Sequence, residues 1–416
     1  MSDNSKLDLV TSNKKRVLIL PSYWPSRAAP VVGSQVQEQS NLVSDDFDVK
    51  VVVCLPGMGL FRFLIHCVLD KILGISLFKS CENDLLNEDL EVRGFYYCEH
   101  KFLPYSWKRR NQIDAMEKTI KLYAKGGWNP DLIHARTAEY AGYCGAIFSG
   151  KLDIPLLLTE NVIFVLADQP HLQRVREYVF TIEAASKVAV VSNWLKTQLL
   201  INGIKCDPKV VGNWINEDRF SIGHRKIGKG FRILSVGHTG FTKDWPTFFR
   251  AIKFLITELN CTDFKIDIAV THVFDITSRE FIPNLVQEFR LTEFVKVHYQ
   301  VSRLEMVGMY QNCDVLVSTS INETFGIATA EAMFCGVPVV ATDNGGVNDF
   351  INDKNGIKVT IGDFEKIANS ILAIKNRELI FQPENVRESV LLKFGTDPFK
   401  KRISELYYKT IADYKT

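Results

Sequence analysis

The chain has 416 residues, enough for two domains, and its 46% hydrophobic and 24% charged residues exclude intrinsic disorder over most of its length. Fifty lysines and arginines face 48 aspartates and glutamates, so the formal net charge of +2 lacks the basic excess of a dedicated nucleic-acid binder. Nine cysteines without a C-x-x-C pair argue against a zinc ribbon or a thioredoxin-type site; reduced, mostly buried thiols of a cytosolic protein are expected.

Residues 1–15 form a polar tail with no apolar segment of signal-peptide type. RVLILPSYWP (16–25) is a short apolar run, followed by a helix-forming stretch from Gly33 to Leu42. Further runs follow: VKVVVCLP (49–56), PDLIHAR (130–136), IPLLLTE (154–160) and KVAVVS (187–192). Each run is followed by a stretch of helical character, for example AEYAGYCGAIFSG (138–150) after Arg136 and NWLKTQLLINGI (193–204) after Ser192. Short, continuously apolar strands alternating with helices predict a parallel sheet covered on both faces. No apolar run is long enough to span a bilayer. GLFRFLIHCVLDKILGISLF (59–78) comes nearest, but Arg62, His66, Asp70 and Lys71 interrupt it and leave at most an interfacial segment.

The pattern restarts near residue 230. Strands are predicted at FRILSVG (231–237), FKIDIAV (264–270), FVKVHYQ (294–300), CDVLVSTS (313–320) and VPVVAT (337–342). DWPTFFRAIKFLITEL (244–259) reads as an amphipathic helix with Pro246 in its first turn. The apolar rhythm breaks over 209–230. The expected architecture is α/β, with two Rossmann-like doubly wound parallel-sheet domains facing across a cleft. The predicted boundaries are 1–212, 213–393 and a C-terminal helix, 394–416, packing back on the first domain. Neither G-x-G-x-x-G after the first strand nor a Walker A motif is present, so dehydrogenase and P-loop readings lose their support.

CDVLVSTSINETFGIATAEAMFCGVPVVATDNGGVNDFI (313–351) carries the chemistry. A strand leads through a loop holding Glu323 into a helix over roughly 326–335 that carries Glu331. The amides of Gly326, Ile327, Ala328 and Thr329 open that helix and lack intrahelical acceptors, so they can hold a phosphate, aided by the helix dipole. Gly326 removes a side chain where a ligand approaches. A carboxylate on either side of these amides can accept hydrogen bonds from hydroxyls flanking a diphosphate, the layout of a nucleotide sugar. A helix start stabilised by acidic residues is the alternative reading.

This segment resembles the E-x7-E signature of retaining nucleotide-sugar glycosyltransferases of glycosyltransferase family 4, which have the GT-B fold. SVGHTGFTKDWPTFFRAI (235–252) is similar to the family's V-G-R-x4-K stretch. VVSNWLKTQL (190–199), VGNWINEDRF (211–220), LPSYWPSRAAPVVGSQVQEQ (20–39) and FGTDPFKKRISELYYK (394–409) resemble its domain-end, first-loop and closing-helix patterns. The likeness is strongest in the C-terminal half and weak over 57–128.

The resemblance implies a hexosyltransferase-type enzyme of polysaccharide biosynthesis that moves sugar with retention of anomeric configuration. Its donor would be a nucleotide-diphosphate sugar, bound as substrate with no cofactor and no metal. It gives Glu331 the ribose, Glu323, Phe325, Gly326 and Ile327 the sugar side, and Ala328 and Thr329 the phosphates. Lys243, beyond the strand ending at Gly237, matches the lysine that pairs with the diphosphate. His238 stands where the family has an arginine; it offers a donor but no cationic fork. Gly33 matches the glycine that admits substrate to the first domain. His134 matches the first position of the family's H-x-H stretch, with a role in catalysis or in packing. Arg136 takes the second position, and Asn161 stands where a histidine is common.

The implied acceptor is a glycan or glycolipid, lipid-linked or part of a surface polysaccharide. Two basic-aromatic stretches, 59–79 and 101–110, fit either peripheral contact with the inner face of a membrane or ordinary core helices with a basic rim. The departures at His238, Arg136 and Asn161 keep open a weakly active or inactive, nucleotide-binding subunit. A GT-B sugar-nucleotide epimerase shares the architecture, but its motif set is not the one seen.

Overall fold

The computed structural model describes residues 14–29, 32–73, 77–86, 89–162, 172–223, 230–271 and 277–415. The chain forms two compact units: Met1–Ala189 with Leu199–Lys209 and Arg402–Thr416, and Val190–Gln198 with Val210–Lys401. Part of the polar tail (1–13), residues 74–76 of the first basic-aromatic stretch and residues 224–229 of the expected boundary lie outside the described residues.

The first unit alternates β1 (Arg16–Pro21), α1 (Ser34–Ser44), β2 (Asp48–Pro56), α2 (Leu60–Leu73), β3 (Glu91–Tyr97), α3 (Tyr105–Lys125), β4 (Leu132–Arg136), α4 (Tyr143–Leu152), β5 (Leu156–Glu160), α5 (Leu172–Ala184), β6 (Lys187–Val190) and β7 (Pro208–Val210); of the intervening α6 (Asn193–Ile201), the residues up to Gln198 belong to the second unit. Its seven strands lie in the order β3-β2-β1-β4-β5-β6-β7. Every residue of β4 and β5 is buried, as a strand covered on both faces requires. The order reverses between β1 and β4, which pair in parallel from Val17↔Leu132 to Pro21↔Arg136. Such a reversal opens a crevice beyond the carboxyl ends of the strands.

The second unit repeats the plan with β8 (Phe231–Gly237), α7 (Trp245–Thr257), β9 (Phe264–Val270), α8 (Phe281–Glu288), β10 (Val295–Tyr299), α9 (Arg303–Gln311), β11 (Val315–Ser318), α10 (Ile327–Phe334), β12 (Val339–Thr342), β13 (Gly356–Val359), α11 (Phe364–Lys375) and α12 (Pro383–Phe394), and α13 (Thr396–Tyr414) starts in it but belongs to the first unit from Arg402 on. Its order, β10-β9-β8-β11-β12-β13, reverses between β8 and β11, and all five pairings are parallel. The fold class is therefore two parallel-sheet α/β domains, as the sequence predicts.

Helix α7 shows why this core forms. Asp244 accepts a hydrogen bond from the Thr247 amide at 3.3 Å, and Pro246 follows in the first turn. Trp245, Phe248, Phe249, Ile252 and Leu255 then recur on one face and are buried against β8 and β9 residues such as Ile233 and Ile266. Each such side chain contributes about 1.5–3 kcal/mol on leaving water.

Several elements lie where none was predicted, among them β3, α3 beyond residue 110, α8, α9, β13, α11 and α12. The stretch 138–150 is not continuous helix: Glu139 and Tyr140 have non-helical φ/ψ and α4 starts at Tyr143. The Ser22 hydroxyl donates to the Glu139 carbonyl at 2.8 Å, and Glu160 accepts from the Ala138 amide at 2.7 Å, so side chains take backbone groups that a helix would use.

Candidate active site

The loops after β8 and β11 emerge side by side at the reversal point of the second sheet. Gly326 caps α10 with φ +90°, and a Cβ there would lie 2.6 Å from Val347 Cγ1. Two constraints thus demand glycine, backbone handedness and space. The first turn of α10 holds no acidic residue and no side-chain cap, so its positive end is not neutralised locally. That removes the reading of an acid-stabilised helix start. The amides of Ile327, Ala328 and Thr329 are the ones helix geometry leaves without acceptors.

The Gly345–Gly346 turn braces this loop. Glu323 donates its amide to the Asn344 carbonyl at 3.0 Å, and Gly346 donates to the Glu323 carbonyl at 2.8 Å. A Cβ on Gly346 would lie 2.5 Å from Phe325 Cα. The Phe325 ring is buried between Phe350 and Phe394, with centroids at 5.5 and 4.9 Å. This corrects its expected place on the sugar side: the ring anchors the loop, and its backbone alone remains for a ligand.

Lys243 reaches this loop from β8. Its ammonium is ion-paired with Glu323, which also accepts from the Ser320 hydroxyl at 2.9 Å. Thr319 donates its hydroxyl to the Lys243 carbonyl at 2.9 Å, and Ile321 its amide to the Thr242 carbonyl at 2.8 Å, so the two loops are stitched together. Gly237 makes room for the lysine stem: a Cβ there would lie 3.0 Å from Lys243 Cγ and Cδ. His238 accepts the Gly240 amide on Nδ1 at 2.9 Å, so the neutral ring carries its proton on Nε2 and is a donor there.

Glu331 is nearly buried. Tyr310 donates its hydroxyl to Glu331 Oε2 at 3.0 Å, and an Arg303 guanidinium nitrogen lies 3.5 Å from Oε1. Burial and the adjacent carboxylate push the Tyr310 hydroxyl well above its usual range, which keeps it a donor. Tyr310 and Arg303 were not singled out in the sequence. The Ser302–Glu305 capping box marks the helix that bears them, but not its contact with Glu331.

The remaining candidates belong to the first unit. Gly33 caps α1 at φ +78°, and a Cβ there would lie 2.5 Å from the Tyr23 carbonyl oxygen. His134 is 1% exposed; its Nδ1 lies 2.7 Å from the Tyr407 hydroxyl and its Nε2 2.7 Å from the Thr159 hydroxyl. Burial first, then Arg136, holds it well below the usual imidazole range. With both nitrogens engaged inside the core, His134 packs rather than catalyses, which corrects the catalytic expectation. Arg136 is also buried, bonded to Gln39 Oε1 at 2.5 Å, and burial lowers it to about 10.

Among the described residues no group of acids, histidines and cysteines could hold a metal ion, and no helix is long and apolar enough to cross a membrane. The nine cysteines are free thiols.

The chain is similar to known proteins over most of its length. Residues 75–219 match the family model Glycosyltransferase Family 4, and residues 216–388 match Glycosyl transferases group 1, which spans Gly237 to Glu331. An uncharacterized glycosyltransferase of Methanocaldococcus jannaschii is 25% identical over 276 residues, 66% of this chain and 68% of that protein. N-acetyl-alpha-D-glucosaminyl L-malate synthase of Bacillus anthracis is 26% identical over 304 residues, 69% of this chain and 77% of that protein. Among solved structures, sucrose-phosphate synthase of Thermosynechococcus elongatus superposes with a TM-score of 0.74 at 18% identity, covering 96% of this chain and all, 100%, of that one. Anabaena HepE in complex with UDP-glucose superposes at 0.69 and 18%, covering 95% and 100%. Fold and family matches together make the chain a glycosyltransferase of the GT-B fold.

Proposed function

We propose that the chain is a retaining transferase that moves a hexosyl group from a nucleotide-diphosphate sugar to a hydroxyl of a lipid-linked or surface-polysaccharide glycan. The single observation that carries this reading is the uncapped, acid-free start of α10 beside Lys243, with Glu323 before it and Glu331 behind it. The amides of Ile327, Ala328 and Thr329 would hold the diphosphate, and Glu331 the ribose. As the bond from the anomeric carbon to the diphosphate oxygen breaks, charge grows on that oxygen. Lys243 would neutralise it there, which helps the transition state more than the ground state. The departing diphosphate takes the proton of the acceptor hydroxyl, whose oxygen forms the new bond on the same face. Glu323, already engaged by Lys243 and Ser320, would accept donor-sugar hydroxyls and need not act as a nucleophile.

The relatives named for UDP-glucose and for L-malate support a nucleotide-sugar donor and a hydroxyl acceptor. Release of nucleoside diphosphate on incubation with candidate donors and acceptors tests the reading. A binding subunit without turnover is the second reading, favoured by His238 in place of a cationic fork; donor binding without release would establish it.

The same reading places the enzyme peripherally on the inner face of a membrane. On α2, Phe61, Leu64, Ile65, Val68 and Ile72 are all exposed and fall on one helical stripe, with Phe61 at 77% and Ile72 at 71%. Phe63 and Arg109, by contrast, are buried at 3% and 7%, so those two members of the basic-aromatic stretches take no part.

A further inference from the structure

The first unit contains a cavity of about 180 Å³ lined by Tyr97, Glu99, Tyr105, Lys108, Tyr140 and Arg174, with Arg109 and Gln112 behind them. Tyr97 ends β3 and the other residues follow β3, β4 or β5 in the chain, at the carboxyl ends where a doubly wound sheet binds ligands. The volume is below the range of drug-sized pockets, and suits one ring or a short chain.

Its wall is built before any ligand arrives. Arg109 donates from Nε to Glu177 at 2.9 Å, from Nη1 to Gln112 at 2.6 Å and from Nη2 to the Tyr105 hydroxyl at 2.5 Å. Its guanidinium also lies 5.2 Å from the Tyr105 ring centre and 5.0 Å from that of Tyr140. Arg174 is held by Glu139 at 2.5 Å. Tyr140 sits at φ +52° and Thr137 at φ +73°, conformations that cost energy in residues with side chains and concentrate at functional sites. Lys108 differs from the other two cations. Among the described residues its ammonium has no hydrogen-bond or ion-pair partner, although it is half-buried at the cavity. The cavity thus joins aromatic faces, which suit a carbon skeleton, to Glu99 and to a lysine ammonium that can pair with an anion.

We propose that this cavity binds the acceptor and that the acceptor group it takes is hydroxylated and carries a carboxylate or phosphate, held by Lys108. The proposal rests on the transferase reading above and names the substrate class for it. Tyr97, Tyr105 and Tyr140 enclose the skeleton, and Lys108 makes a charge-assisted bond to the anion. The anion can belong to a free small molecule or to a lipid headgroup.

The test is calorimetric binding of the full chain to L-malate, D-inositol 3-phosphate and neutral myo-inositol. Both anions should bind at least about tenfold more tightly than the neutral ring, the size of one charge-assisted hydrogen bond. Lys108→Gln should lose that margin and Lys108→Arg should recover most of it, with myo-inositol binding alike in all three proteins. Sedimentation with phosphatidylcholine vesicles, with and without phosphatidylinositol, separates the sources. A Lys108-dependent gain on the inositol lipid assigns the anion to a headgroup, and a gain in solution alone assigns it to a free molecule. Equal affinity for neutral and anionic rings, anion binding unchanged in Lys108→Gln, or binding of neither anion would overturn the proposal. Nucleoside diphosphate binding, measured on the same proteins, reports the donor site independently, so failure here leaves a distinguishable result there.

Discussion

Lys243 and Glu323 form an ion pair although they leave different strands, one beyond β8 and the other beyond β11. The pair spans the reversal point of the second sheet, and a diphosphate at the start of α10 would compete with Glu323 for the ammonium. Lys243→Ala should therefore slow turnover by roughly 10²–10³-fold, the usual loss for one electrostatic contact to a growing charge. The donor KM should change far less. Steady-state release of nucleoside diphosphate measures both, and an unchanged turnover number would remove Lys243 from the reaction.

Glu331→Ala should weaken donor binding and also lower the melting temperature, because it leaves the buried Tyr310 hydroxyl without its acceptor. Tyr310→Phe separates the two effects. It removes one hydrogen bond, worth about 1 kcal/mol, and leaves the carboxylate for the ribose. Donor affinity should fall about tenfold or more in Glu331→Ala and little in Tyr310→Phe, as titration of a nucleoside diphosphate would record.

Gly326→Ala adds a Cβ at φ +90° and 2.6 Å from Val347 Cγ1. The left-handed strain alone costs about 1–2 kcal/mol. Pairing it with Val347→Ala relieves the contact but not the backbone. The double variant should regain part of the melting temperature while nucleoside diphosphate binding stays impaired, since the amides of α10 remain displaced.

Glu160 offers a pH dependence. Its carboxyl is buried and pushed up to about 7, despite accepting the amides of Ala138, Asn161 and Val162. A folded-state value above the unfolded one means that the native protein holds the proton more tightly. The resulting stability is full below the unfolded value near 4.5 and is lost as pH rises through about 7, a change of order 3 kcal/mol. Denaturant unfolding between about pH 5 and pH 8 should show this decline, and Glu160→Gln should flatten it.

The exposed stripe on α2 predicts vesicle binding. Phe61→Ser with Val68→Ser should release the protein from anionic vesicles in a sedimentation assay, since each side chain contributes about 1.5–3 kcal/mol when buried in an apolar phase. Retention equal to wild type would argue against peripheral docking through this helix.

The two-sheet plan was legible because strands such as β1, β4 and β12 are short continuous apolar runs that end at turn residues. The loop from Glu323 to Glu331 was legible because a glycine, a helix start and a Gly-Gly turn follow one another in sequence. Strand β3, EVRGFYY, was not, because it is an edge strand whose Glu91 and Arg93 face outward and break the apolar run. The burial of Arg109 depends on Glu177, 68 positions away, and that of His134 on Tyr407, 273 away. Glu331 likewise meets Tyr310 across 21 residues. Such contacts leave no local pattern to read.

The central claim is that the start of α10 grips the diphosphate of a donor. A crystal structure with nucleoside diphosphate bound tests it most directly. Phosphate oxygens within hydrogen-bond reach of the Ile327, Ala328 and Thr329 amides, with the ribose on Glu331, is the predicted result. A ligand seated elsewhere, with those amides untouched, would contradict it.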